Sequence, residues 1–147
     1  MILEDLDRTV RHRVYAALVA SARAPTAAEL AQLLGVKTDD VRAALERLHA
    51  AHALVLDEAA REVRMALPFA NAPTAYRVES GDRAWDANCA WDALAMVRLL
   101  DLRQARVLDR GGPGRDGRVL TVAEGQLVER NAVISFPCPA WRWWEDT

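Results

Sequence analysis

Asp86-Ala87-Asn88-Cys89-Ala90-Trp91-Asp92-Ala93-Leu94 is the stretch on which the reading of this chain turns. It opens an apolar-rich segment that runs on to Leu100, and this predicts a helix from about Asp86 to Leu100 with Asp86 as its N-cap. In that register Cys89 takes the third helical position and Asp92 follows one turn later on the same face. A thiol in a first helical turn lies near unpaired amides and the positive end of the helix, which favour thiolate, so Cys89 is expected to titrate low. A carboxyl group one turn along can take or give a proton beside that sulfur. Together they make a nucleophile and a proton carrier. The same residues also read as a small buried hydrophobe among Trp85, Ala90 and Trp91, followed by a solvated aspartate. Spacing alone leaves both readings open.

Working outward, Thr74 to Val78 alternates like a strand, and Ser80-Gly81-Asp82 is a turn. The stretches Ala105 to Leu108 and Gly117 to Val122 read as two strands joined by a glycine-rich turn from Gly111 to Gly114. Asn131 to Phe136 reads as another strand. The glycine run is no phosphate cradle, because no helix pattern with Lys-Ser/Thr follows it. Trp141, Trp143 and Trp144 either wall an apolar pocket for an organic substituent or cover the sheet as ordinary core.

Upstream, Leu6, Val10, Val14, Leu18 and Ala22 mark one face of an amphipathic helix. Thr26 and Glu29 form a T-x-x-E capping box for a short helix from Ala27 to Leu34, which Gly35 ends. A third helix, capped by Thr38 or Asp39, presents Val41, Ala44, Leu45, Leu48 and His52. Leu54 to Leu56 and Val63 to Leu67 flank a polar tip and read as a β-hairpin. This order resembles a winged-helix unit, with Glu29 to Val36 as its turn region. Pro68 to Pro73 reads as the connection to the second half. Through residue 67 nine basic residues face ten carboxylates, and the third helix begins with Asp39 and Asp40, which phosphates repel. Arg42 and Arg47 read as a solvated face with pairs such as Arg42–Glu46. A structural winged-helix module is expected, with no DNA binding tighter than about micromolar.

Composition sets the outer limits. The chain has 147 residues, 52% hydrophobic and 27% charged, with a net charge of −2, so wholesale disorder is excluded. No apolar run approaches the roughly 20 residues of a membrane span, and Met1 to Asp5 lack a signal-peptide pattern, so a cytoplasmic protein without a membrane partner is expected. Lys37 is the one lysine among 19 basic residues, the imprint of a GC-rich genome. Cys89 and Cys138 are too few for a disulfide scaffold, and no cluster has zinc spacing.

Asn88-Cys89-Ala90-Trp91-Asp92-Ala93-Leu94, preceded by the strand Thr74 to Val78, resembles the active-site segment of the alkylmercury (organomercurial) lyases, which also place a winged-helix-like region first. Ala140-Trp141-Arg142-Trp143-Trp144-Glu145-Asp146 is similar to the tryptophan-rich stretch of the family's shorter relatives. The resemblance implies an α+β protein: a winged-helix-like helical unit over residues 1–70, then a small mixed sheet with a catalytic-type helix over residues 71–147.

The resemblance also implies carbon–mercury protonolysis, with Cys89 as nucleophile and ligand of the substrate mercury and Asp92 as proton carrier. Soft thiolates suit mercury. The expected partner is an organomercurial or Hg(II), with no cofactor and with external thiols assisting. The family's second cysteine is expected beyond Trp-Trp-Glu-Asp, so either this sequence is a C-terminally truncated form or the protein lacks that thiol. Cys138, between Pro137 and Pro139, is an alternative second ligand off the family pattern or a structural thiol. The region from Asp109 to Gly114 lacks a further cysteine that many relatives carry. Mercury capture with slow or absent hydrocarbon release is therefore expected. Two other functions compete: a mercury- or thiol-sensing winged-helix regulator, and a lyase-fold relative with other chemistry.

Overall fold

A computed structural model describes residues 4–136, 139, 142 and 143. Three helices come first: α1 (Asp5–Ser21), α2 (Ala27–Leu34) and α3 (Thr38–Ala50). Each buries the face its periodicity marks: Val10, Val14 and Leu18 on α1, Leu30 on α2, and Val41, Leu45 and Leu48 on α3. The capping box forms as read, with the Thr26 hydroxyl accepting from the Glu29 amide at 3.2 Å and Glu29 accepting from the Thr26 amide at 2.7 Å. Gly35 closes α2 at φ 68°, a conformation that costs glycine no Cβ clash. The start of α3 differs. Its N-cap is Lys37, which makes no side-chain cap bond. His52 lies past the end of α3, exposed and in the left-handed region at φ 56°.

Eight strands form one sheet in the order β1-β2-β3-β5-β4-β6-β7-β8, and every neighbouring pair is antiparallel. They are β1 (Val55–Leu56), β2 (Val63–Ala66), β3 (Phe69–Ala70), β4 (Tyr76–Ser80), β5 (Arg83–Ala87), β6 (Gln104–Asp109), β7 (Arg118–Ala123) and β8 (Gln126–Leu127). The expected small mixed sheet is thus larger and antiparallel throughout. One reason is the Pro68 to Pro73 stretch, a connection in sequence but a strand in space. There, β3 pairs with β2 on one side and β5 on the other, carrying the ladder from the first half into the second. Asn71 locks this junction by donating to the Val63 carbonyl at 2.8 Å and accepting from the Ala24 amide at 2.7 Å.

Along β4 and β5, Val78 and Trp85 point to the buried side while Arg77 and Asp86 pair on the other at 3.0 Å. That second face is a polar ladder, continued by Glu79–Arg106 at 3.4 Å. A sheet with one packed and one solvated face is what strict alternation produces. The helix α4 (Ala90–Leu99) follows β5 and packs on β4, β5 and β6. Trp85 ties α1 to the sheet, its indole N–H shared between the Leu18 and Val19 carbonyls at 3.1 and 3.2 Å. The buried residues of all these elements form one contiguous cluster.

Two further expectations are corrected. Residues 131–136 form no strand, because β8 and the residues after it already occupy the free edge of β7. Val128 donates to the Thr121 carbonyl at 2.9 Å, and the Glu129 carboxylate accepts from the Thr121 amide at 2.8 Å. The Arg42–Glu46 pair is also replaced. Arg42 reaches Asp39 at 3.3 Å, Glu46 accepts from Arg61 Nε at 2.8 Å, and Arg47 turns inward to Asp7 at 2.7 Å. The Gly111 turn between β6 and β7 is required by space: a Cβ there would lie 2.4 Å from the Arg115 carbonyl oxygen.

Candidate functional site

The segment around Cys89 is not helical from Asp86, as its apolar pattern suggests. Asp86 belongs to β5, where its carboxylate meets Arg77 at 3.0 Å and Arg110 at 3.6 Å and its backbone pairs with β3 and β4. Three residues later the chain turns into α4 with Cys89 itself as N-cap, its backbone extended. The three-residue shift keeps Cys89 and Asp92 together by another route. The Cys89 sulfur accepts from the Asp92 amide at 3.4 Å, as a capping serine would, and its S–H faces Asp92 Oδ2 at 3.5 Å.

The shift changes the electrostatics. Cys89 is expected to titrate low, but burial pushes its thiol up, the Asp92 carboxylate adds repulsion, and the Asp92 and Trp91 amides only partly offset them. A helix end supplies about 1 kcal/mol or a little more, which loses to desolvation plus a like charge at contact distance. Burial and the Asp92 carboxylate therefore favour the thiol form of the sulfur. Asp92 is also pushed up by burial, against hydrogen bonds from Cys89 and Asn88 that favour its ionised form. One proton shared between two groups that both resist ionisation is an arrangement suited to proton transfer.

Asn88 is the neighbour that sequence reasoning passed over, although it stands in the segment that drew attention to Cys89. Its Nδ2 donates to the Pro68 carbonyl at 3.2 Å, tying the site to the β2–β3 junction. Its Oδ1 is buried and is the one such side-chain oxygen or nitrogen without a partner among the described residues. An unpaired buried acceptor costs about 1–3 kcal/mol. No pattern rule marks an asparagine between a strand and a helix as anything but a turn residue.

Trp91 follows Cys89 in the first turn of α4 and remains 57% exposed. Of the tryptophan-rich stretch, Trp143 packs its ring on Phe136 at 5.2 Å between centroids. Trp141, Trp144 and Cys138, the second candidate ligand, lie outside the described residues. Among the described residues no three His, Cys, Asp or Glu side chains cluster to hold a metal ion, and no helix is long and apolar enough to cross a membrane.

Comparison with known proteins brings these observations together. The family model described as alkylmercury lyase, MerB, matches residues 69–147, more than half of the chain. Ten solved chains match the fold. One, described as the crystal structure of the mercury-bound form of MerB2, superposes with a TM-score of 0.64 at 20% identity. The match covers 86% of this chain and 60% of that one, so this chain spans well under two thirds of that structure's length. No curated protein matches.

Proposed function

The chain belongs to the alkylmercury lyase family, and from that premise we propose that it captures organomercurials at Cys89 and protonates the carbon bound to mercury through Asp92. The observation that carries this reading is the 3.5 Å contact between the Cys89 sulfur and Asp92 Oδ2 at the mouth of α4. A thiol must lose its proton to bind R–Hg⁺, and the leaving carbon must gain one. A carboxyl group in contact with the sulfur serves both needs with the same proton. Mercury enters as substrate, and its softness matches sulfur. The three helices with the β1–β2 hairpin serve as a winged-helix-like support for the sheet edge.

The proposed reaction begins with Cys89 giving its proton to Asp92 as the sulfur takes mercury. Asp92 then delivers that proton to the carbon, and hydrocarbon leaves. Two thiolates on mercury push electron density onto the carbon better than one. With one sulfur on mercury, Cys89, capture is expected to outrun release, and an external thiol to accelerate release. Phenylmercury salt incubated with the protein tests this by benzene production. Slow benzene formation, faster with added thiol and lost in Cys89→Ser, is the expected result. Rapid turnover that survives Cys89→Ser overturns the assignment. Loss of turnover in both Cys89→Ser and Cys138→Ser would instead make Cys138 the second ligand.

A further inference from the structure

We propose that Trp91 is the specificity-determining residue of this site: its exposed indole receives the organic group of the mercurial held on Cys89 and selects neutral aryl groups over methyl. The inference rests on the reading of Cys89 as the mercury ligand and names the class of substrate that this reading leaves open. It starts from where the indole stands. A tryptophan carries one of the largest apolar surfaces of any side chain, and Trp85 on the preceding strand shows the usual outcome, with 2% of its surface exposed. Trp91 keeps 57% of its surface in water and belongs neither to the buried cluster nor to the residues packed against it.

The helix explains the exposure. α4 buries Ala93, Met96 and Val97 against the sheet, and these positions lie roughly 140–240° around the helix from Trp91. No rotation of α4 buries both sets. What Trp91 adjoins instead is the sulfur. Cys89 is the N-cap of α4, and its sulfur accepts from the Asp92 amide at 3.4 Å. The Trp91 Cα is two bonds from that amide nitrogen, which places it within about 6 Å of the sulfur. Of the large apolar residues left exposed among the described residues, Trp91 is the one in the helical turn that Cys89 caps.

Mercury(II) bound to one thiolate and one carbon holds the two in a line, so the carbon stands two bond lengths out from the sulfur. An indole rooted this close to the sulfur reaches the group attached to that carbon. One turn along α4, Leu94 and Ala95 are apolar and half-buried, which suits a neutral group. An aryl ring gives the indole a π-face to stack on and apolar surface to remove from water, and a methyl gives little of either. Mercury reaches Cys89 by thiol exchange with no change of oxidation state. The bond from mercury to the carrier thiolate breaks, a bond to the Cys89 sulfur forms, and the Cys89 proton leaves on the carrier thiol. The carbon–mercury bond is untouched, so selection by Trp91 precedes the chemistry at Asp92.

Exchange equilibria on the full chain test this. Phenylmercury and methylmercury, each supplied as its glutathione complex, partition between glutathione and the protein, and uptake at Cys89 is the part lost in Cys89→Ser. Referring both to glutathione cancels the intrinsic preference of each mercurial for sulfur. The expected result is about a tenfold preference for phenyl, kept in Trp91→Phe and lost in Trp91→Gln. Equal exchange constants in the native protein overturn the proposal, and need no variant to fold. A preference unchanged in Trp91→Gln overturns it as well. Uptake of neither mercurial at Cys89 overturns the reading beneath the proposal and the proposal with it. Phenyl-selective uptake without benzene release would instead count against turnover and leave Trp91 as the selecting residue.

Discussion

At the scale of single residues, the site turns on which of two opposing effects governs the Cys89 sulfur. Two backbone amides favour thiolate, while burial and the Asp92 carboxylate favour the thiol, and the second group prevails. The thiol is therefore expected to react like a protected one. Its alkylation rate should keep rising with pH through the ordinary thiol range, without the low plateau of an activated cysteine. Asp92→Asn removes the repulsion and replaces the charged acceptor of the S–H with a neutral amide, so the apparent thiol pKa should fall and alkylation near pH 8 should speed up, while benzene release stops. Iodoacetamide rates against pH for the two proteins measure this directly. A plateau below pH 8 in the native protein would contradict it.

At the scale of elements, α1 and α3 are joined by an ion pair that replaces apolar contact at one end of their interface. Asp7 has no exposed side-chain surface and accepts from Arg47 at 2.7 Å and from the Glu4 amide at 2.9 Å. Breaking a buried pair strands the remaining charge. Because Arg47 is still 30% exposed, Asp7→Ala is expected to cost about 3 kcal/mol, the low end for such sites. Arg47 holds the Asp7 carboxyl below its ordinary value in the folded state. A lowered folded pKa gives stability that is present above the unfolded value and lost as pH falls through the folded one. Denaturant titrations should show the native protein losing part of its stability below about pH 4, and Asp7→Ala lacking that loss. The same pair engages Arg47 with Asp7, while Asp39 and Asp40 stand exposed in the first turn of α3.

At the scale of the whole molecule, one antiparallel sheet runs through both halves, and one buried cluster backs it. The three-helix unit and the α4 region are therefore expected to unfold together, with far- and near-ultraviolet circular dichroism giving coincident denaturant curves. Trp85 is the cross-link to examine. It lies on β5 near the site, yet its indole N–H satisfies two carbonyls at the end of α1. Trp85→Phe keeps most of the packing but removes the N–H those carbonyls share, although the Leu18 carbonyl keeps the Ala22 amide at 2.9 Å, and should cost about 1 kcal/mol without separating the curves. Separate transitions in the native protein would show that the shared sheet does not couple the halves.

What the sequence by itself determined was local and periodic. The three N-terminal helices, the Thr26–Glu29 box, the Gly35 stop, the β1–β2 hairpin and the β6–β7 pair all follow from spacings of four residues or fewer, or from one turn signal. The pairing of Cys89 with Asp92 was legible for the same reason, because three residues separate them in any helical register. Tertiary structure alone decided where that helix begins, since Asp86 is drawn into β5 by Arg77, nine residues away, and by Arg110, farther still. It also decided that Pro68 to Pro73 contains a strand, that Arg47 pairs with Asp7, and that burial favours the Cys89 thiol. The first two depend on a backbone amide or a charge whose partner lies far along the chain, and the third on burial by residues that only the fold brings together. Short-range patterns carry no information about that partner until the chain has folded.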